Sequence, residues 1–220
     1  MRPSPTHNKP MWLWTGIVGL VALALGVAVW STRGSDTTVS QGTTATDNSS
    51  SSAAETQPVT VGGAALPTPP EAGEDLAIGK TVPTLRGFRF DGSAIDIVPD
   101  GRAKMVVFLA HWCPHCNREI PVLQGWAEAG GVPSDLDIVA VSTAVSSQRE
   151  NFPPSEWLVA SEWAWPVLAD SANSDAATAY GVGSFPSFVI VGADGTVKAR
   201  SSGELPVADL DALVKQAVAG

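Results

Sequence analysis

The segment Lys104-Met105-Val106-Val107-Phe108-Leu109-Ala110 is apolar from Met105 onward and runs within three residues into Cys113-Pro114-His115-Cys116. A strand that is apolar at successive positions, with no polar alternation, has to be covered on both faces, which calls for a sheet with helices on each side. Proline suits the first turn of a helix, because its φ is already helical and its missing N–H is not needed there. The junction therefore predicts a buried strand handing over to a helix at Cys113, and it fixes the class of the domain around it as α/β.

The rest of residues 76–220 fits that class. Leu85 to Phe90, the turn Asp91-Gly92 and Ile95/Ile97 read as an antiparallel pair. The helix opened by Pro114 extends to about Ala129, followed by a strand at Asp137 to Ser142, a helix near Ser155 to Trp163 and a short strand at Pro166 to Ala169. A helix from about Asn173 to Tyr180 comes next, then a strand at Ser187 to Val191, a turn at Asp194-Gly195, a strand at Thr196 to Arg200 and a last helix from about Val207. Strands and helices in alternation with short connections predict one central mixed β-sheet flanked by helices.

The chain before this domain divides in three. Trp12 to Trp30 holds no charged residue. At about 1.5 Å per residue it nearly crosses a hydrocarbon core of roughly 30 Å, with tryptophans placed for both interfaces. It reads as a transmembrane anchor. Arg2 and Lys9 precede it, and Arg33 is the sole base in the long stretch that follows, so residues 1–11 are expected in the cytoplasm and the remainder outside. A cleaved secretory signal is the alternative. The apolar run is longer than a usual signal core, and Ala28-Val29-Trp30 is a poor cleavage site. Residues 31–75 are rich in Ser, Thr, Gly, Ala and Pro and are expected to form a disordered tether with a span of roughly 35–40 Å.

Charge and cysteine count narrow the chemistry. The chain carries a formal net charge of -9, which opposes binding to a phosphate backbone and argues against nucleic acid. It has two cysteines and three histidines, His7, His111 and His115. A bridge across two intervening residues closes too small a loop to stabilise a domain, and the ligand count is short of a closed zinc site. No metal and no cofactor is expected. The pair is better suited to exchange. A helix N-terminus favours a thiolate at Cys113, making it the attacking sulfur. Cys116, one turn on and on the core-facing stripe with Ile120, Leu123 and Ala127, is the resolving thiol. His115 between them can stabilise the reduced form, and His111 just before them is a weaker candidate for the same role. Glu119 sits one turn after Cys116 at the border of the stripe, where partial burial would raise its pKa and suit it to move the Cys116 proton. Pro121 is expected to kink the helix. Pro186, just ahead of a strand, invites a tight turn in which its peptide bond can be cis.

Trp112-Cys113-Pro114-His115-Cys116, Glu119-Ile120-Pro121, and Phe185-Pro186-Ser187 ahead of a strand and an Asp-Gly turn together resemble the thioredoxin superfamily. Within it they resemble the TlpA/ResA-like group of membrane-tethered extracytoplasmic proteins, over about residues 79–220. The resemblance implies a thioredoxin fold with an N-terminal strand pair, Cys113 and Cys116 as a redox-active pair, Glu119 as the group's buried glutamate and Pro186 as the cis-proline beside the disulfide. Trp112, Pro114, His115 and Phe185 would support the site. It also implies anchoring in the cell membrane and exchange of disulfides with extracytoplasmic protein thiols and a membrane redox partner; a monomer is the default for quaternary state. Such an enzyme works either as a reductant, as in cytochrome c maturation, or as an oxidant. The Pro114-His115 dipeptide resembles the DsbA-type oxidants, so the direction of electron flow is open at this point. A peroxiredoxin-like peroxidase, a metallochaperone and a tethered binding module with an inert bridge are the competing functions on the same fold.

Overall fold

The computed structural model of the chain describes residues 54–218. The expected anchor at Trp12 to Trp30 and most of the expected tether lie outside these residues. Among the described residues no helix is long and apolar enough to cross a membrane.

Twelve elements follow one another: β1 (Thr60–Gly62), β2 (Thr84–Phe88), β3 (Ala94–Ile97), β4 (Ala103–Leu109), α1 (Pro114–Glu128), β5 (Leu136–Ser142), α2 (Pro154–Ala160), β6 (Val167–Ala169), α3 (Asp175–Ala179), β7 (Ser187–Val191), β8 (Val197–Ser202) and α4 (Val207–Val218). The strands form one mixed sheet in the order β1-β2-β6-β5-β4-β7-β8, with β3 paired to β2. β4 is at the centre, parallel to β5 and antiparallel to β7, so that Val107 lies opposite both Ala140 and Phe188.

Every residue of β4 is buried, and the alternation of the strand divides its side chains between two cores. Met105, Val107 and Leu109 pack with Cys116, Ile120 and Leu123 of α1 and with Leu210 of α4. Val106 and Phe108 face the other way, toward Leu168, Ala176 and Tyr180. The Phe108 and Tyr180 rings lie 5.3 Å apart, and the Tyr180 hydroxyl donates to the Pro83 carbonyl at 3.0 Å. Coverage on both faces is what an apolar strand without alternation requires, and α1 is set against the sheet by its own buried stripe.

The structure departs from the sequence expectation over residues 54–75. This stretch, expected as part of a disordered tether, is attached to the domain. Its β1 pairs antiparallel with β2, placing Val61 opposite Leu85. The Ala54 N–H donates to Phe90 O, Gln57 N–H to Asp170 O and Leu66 N–H to Ala179 O, while the Leu66 side chain is buried. Gly181 has φ +67°, and a Cβ there would stand 2.6 Å from the Pro67 carbonyl oxygen; only glycine allows the segment to approach so closely. Arg200, with a side chain 4% exposed, pairs with Asp75 through both of its carboxylate oxygens and donates to the Pro67 carbonyl at 2.9 Å. The reason for the difference is that a few anchors and main-chain hydrogen bonds fix a Pro/Gly-rich segment whose average composition is that of a coil.

Candidate active site

Cys113 caps the N-terminus of α1 in an extended conformation, with Pro114 in the first turn and no side-chain cap. Its main chain is fixed on both sides: the N–H donates to Ala110 O at 2.9 Å and the carbonyl accepts from Asn117 N–H at 3.2 Å. The Sγ–H donates to the carbonyl of Phe185 at 3.3 Å. Phe185 leads into a cis peptide bond with Pro186. The turn before β7 is thus brought against the start of α1, 72 residues away in sequence. Ser187 Oγ holds the turn by bonding Ser184 O at 2.7 Å.

The two sulfurs occupy different surroundings. Both cysteines are free thiols, but Cys113 retains 5% exposure whereas Cys116 has none. Burial pushes the Cys116 thiol well above its ordinary range, and the nearby Cys113 and Glu119 charges push in the same direction. Glu119 is 1% exposed, so it lies inside the stripe rather than at the border expected from the sequence. Burial raises its carboxyl pKa, countered in part by the Leu205 N–H that Oε2 accepts at 2.9 Å, with the Glu204 charge adding a further upward push. Its other oxygen, Oε1, has no hydrogen-bond partner among the described residues. A buried acid with an unpaired oxygen, one helical turn from a buried thiol, is set up for proton transfer. Further along α1 the buried position is Trp126, not Ala127, which is half-buried. The helix continues through Pro121, which is exposed.

Trp112 forms one wall. Its Nε1–H donates to Ala144 O at 2.8 Å, its ring meets Phe185 edge to face with centroids 6.0 Å apart, and the Arg149 guanidinium lies 4.1 Å above it. His115 is exposed at the mouth, its Nδ1 2.6 Å from Glu204 Oε1. His111 is fully buried. Its Nδ1 lies 2.7 Å from Glu150 O and its Nε2 accepts from Ser146 N–H at 3.2 Å, an assignment that places the proton on Nδ1. With both nitrogens occupied, His111 pins the 146–150 loop, a different role from the one weighed on sequence. Among the described residues no cluster of three or more His, Cys, Asp or Glu is arranged to hold a metal ion.

The structure brings Trp112, Cys113, His115, Cys116, Glu119, Phe185 and Pro186 to one place, with Pro114 exposed at its rim. Sequence reasoning missed Arg118, Arg149, Glu204 and Leu205. Arg118 was detectable as the i+3 neighbour of His115 on the helix, but nothing in the sequence joins residue 204 to residue 118.

A family model described as the AhpC/TSA family matches residues 78–200. The soluble secreted antigen MPT53 of Mycobacterium tuberculosis is 30% identical over 135 residues, covering 59% of this chain and 68% of the relative. The sporulation thiol-disulfide oxidoreductase A of Bacillus subtilis is 27% identical over 81 residues, 37% of this chain and 48% of that protein. Among solved structures, the thioredoxin domain of a thiol-disulfide oxidoreductase from Bacteroides vulgatus superposes with a TM-score of 0.50 at 21% identity, covering 64% of this chain and 97% of that domain, which shows a common fold. With the family match extending from before β2 into β8, and a thioredoxin-like fold, the chain belongs to the AhpC/TSA family.

Proposed function

We propose that this protein, a thiol-disulfide oxidoreductase, exchanges disulfides with exported proteins through Cys113 and Cys116, outside the cytoplasm and tethered by the Trp12–Trp30 segment. The observation that carries the reading is the contrast between the sulfurs: Cys113 at the rim against the Phe185 carbonyl, Cys116 buried beside a carboxyl with one oxygen that has no partner among the described residues.

In the reducing direction the Cys113 thiolate attacks a client disulfide sulfur. A mixed disulfide forms and the first client sulfur leaves as a thiolate. Cys116 passes its proton to Glu119, attacks Cys113 Sγ and expels the second client thiolate. Two electrons have then moved to the client, and the protein holds the Cys113–Cys116 disulfide. Oxidation of a client dithiol is the same sequence reversed, with Glu119 returning the proton to Cys116. The Phe185-Pro186 turn and the Trp112 ring border the sulfur that meets the client, and an aromatic border favours extended, apolar client segments.

Trapping tests this order of events. Cys116→Ser should accumulate a mixed disulfide on Cys113 with reduced protein and a disulfide-bonded client such as insulin, whereas Cys113→Ser should accumulate none. Equal trapping by both variants would refute the assignment of attacking and resolving thiols, and failure of the unaltered protein to reduce insulin or oxidise a dithiol peptide would refute the exchange itself. Protease accessibility of the full chain in intact cells tests the location. The domain should be cleaved from outside and should fractionate with membranes.

A further inference from the structure

Three consecutive residues in the turn between β8 and α4 each hold a different part of the site. The Gly203 N–H donates to the Pro186 carbonyl at 2.9 Å. Glu204 Oε1 receives Arg118 Nε at 3.0 Å and Nη2 at 2.6 Å, and His115 Nδ1 stands 2.6 Å from the same oxygen. The Leu205 N–H donates to Glu119 Oε2 at 2.9 Å. One tripeptide therefore ties together the cis-proline turn, the dipeptide between the cysteines and the buried acid. Arg118 Nη2 also lies 2.9 Å from His115 Nδ1. Since Arg118 can only donate, the shorter approach to the carboxylate makes Nδ1 a donor to Glu204.

The cluster is exposed, with side chains of His115, Arg118 and Glu204 at 60%, 55% and 39%. Exposed ion pairs contribute little to fold stability. Their main effect is the local field, and Cys113 caps the same helix, two residues before His115 and five before Arg118. The Arg118 guanidinium is held above its usual range chiefly by Glu204 and in smaller part by the Cys113 sulfur, so it is within electrostatic reach of both. Arg118 and Glu204 balance each other. The Glu204 carboxyl is held down at about 2 by Arg118 and then His115, which keeps its negative charge in place.

We infer that Glu204 is a positioning residue for the Cys113–Cys116 couple: its carboxylate engages His115 and Arg118 and so keeps the reduction potential below the value those two groups would otherwise impose. This rests on the exchange reading above. The reduced form carries thiolate character at Cys113, which nearby cations stabilise and a nearby carboxylate opposes. Removing the carboxylate charge leaves Arg118 uncompensated and moves the equilibrium toward the dithiol.

The test equilibrates the full chain with mixtures of glutathione and its disulfide and measures the reduced fraction. The Cys113–Cys116 bond breaks as two glutathione thiols become one glutathione disulfide. Two electrons pass to the protein, and the two glutathione protons go to Cys116 and to Cys113 or solvent. Glu204→Gln, which keeps the shape and an acceptor oxygen, should shift the equilibrium toward the reduced protein by about fivefold, which for two electrons is about 20 mV. Glu204→Asp, retaining the charge, should remain within about twofold of the unaltered protein. The gap should narrow at about 1 M salt, where the screening length falls to about 3 Å; displacement of the turn alone would give a gap indifferent to salt. The inference is overturned by an equilibrium for Glu204→Gln within about twofold of the unaltered protein, by a shift toward the disulfide, or by that salt-independent gap. If the unaltered protein does not equilibrate with glutathione at all, the exchange reading fails, and this inference with it.

Discussion

Replacing Glu119 with Gln should make the protein more stable and less active at neutral pH. The carboxyl is buried, and burial holds its folded-state pKa above the ordinary value. Such a group binds its proton more tightly in the native state than in the unfolded chain. Its contribution therefore favours folding below the unfolded pKa and is lost as pH rises through the folded one. Above that folded pKa the native state carries a charge with one oxygen bonded to Leu205 N–H and the other bonded to nothing among the described residues. A buried unpaired polar atom costs about 1–3 kcal/mol. The amide of Gln keeps an acceptor for Leu205 N–H and leaves its NH2 where Oε1 has no partner, so only the part of the penalty due to the charge is recovered, about 1 kcal/mol, a rise of about 2–4 °C in Tm for a domain of this size. Thermal unfolding of the reduced protein measures it: the gain should be present at pH 8 and absent at pH 4. In stopped-flow measurements the resolving step should slow about 10²-fold, the lower end of the range for a lost acid/base group. A variant destabilised at pH 8, or one with the same gain at both pH values, would refute the reasoning about the buried charge. An unchanged resolving rate would refute the proton-transfer role.

Two other perturbations separate the scaffold from the site. Arg200→Met leaves the Asp75 carboxylate without its partner and removes donors to the Pro67 and Tyr180 carbonyls. It should cost about 1.5–3 kcal/mol in urea unfolding, the range for hydrogen bonds to a charged group, since Asp75 is part-exposed and keeps the Ala77 N–H, and should open residues 67–75 to proteolysis; a loss under about 0.5 kcal/mol, well below that range, would show that these ties add nothing to the domain. Phe185→Thr removes the edge-to-face contact with Trp112, a contact worth about 0.5–1.5 kcal/mol. It should lower the exchange rate for disulfides flanked by apolar residues more than for those flanked by polar ones, and an unaltered client profile would rule out Phe185 as a determinant of selectivity.

The parts of this molecule that were legible in the sequence are those whose cause lies within one element. β4 announces itself because the apolar run from Met105 to Ala110 does not alternate, and α1 begins at Pro114, capped by Cys113, because Pro114 suits a first turn. Pro186 could be placed because a proline immediately ahead of a strand has few conformations available. The side of α1 that faces the core was also readable, but only to within a fraction of a turn. Glu119 belongs inside the stripe, and Trp126 takes the place assigned to Ala127. Long-range attachments left no such trace. Residues 54–75 contain few large apolar side chains, and their ties run to carbonyls on Phe90, Asp170 and Ala179, so average composition describes them as coil.

The same physical limit hid the tuning of the site. Three contacts that shape it are made wholly or partly by the main chain: the Phe185 carbonyl accepts from Cys113 Sγ, the Gly203 N–H donates to Pro186 O, and the Leu205 N–H donates to Glu119 Oε2. A main-chain amide or carbonyl is available at nearly every residue, so its role depends on the conformation of the turn that carries it rather than on the identity of the side chain. Substituting Leu205 by another apolar residue would leave its N–H where it is, whereas shifting the turn would move the Leu205 N–H away from Glu119 and the Gly203 N–H away from the Pro186 carbonyl together. Changes in the length of the β8–α4 turn should therefore alter the chemistry of the cysteine pair more than most side-chain substitutions within it, with the exception of Glu204, whose carboxylate is the one charged side chain of that tripeptide and bonds His115 and Arg118.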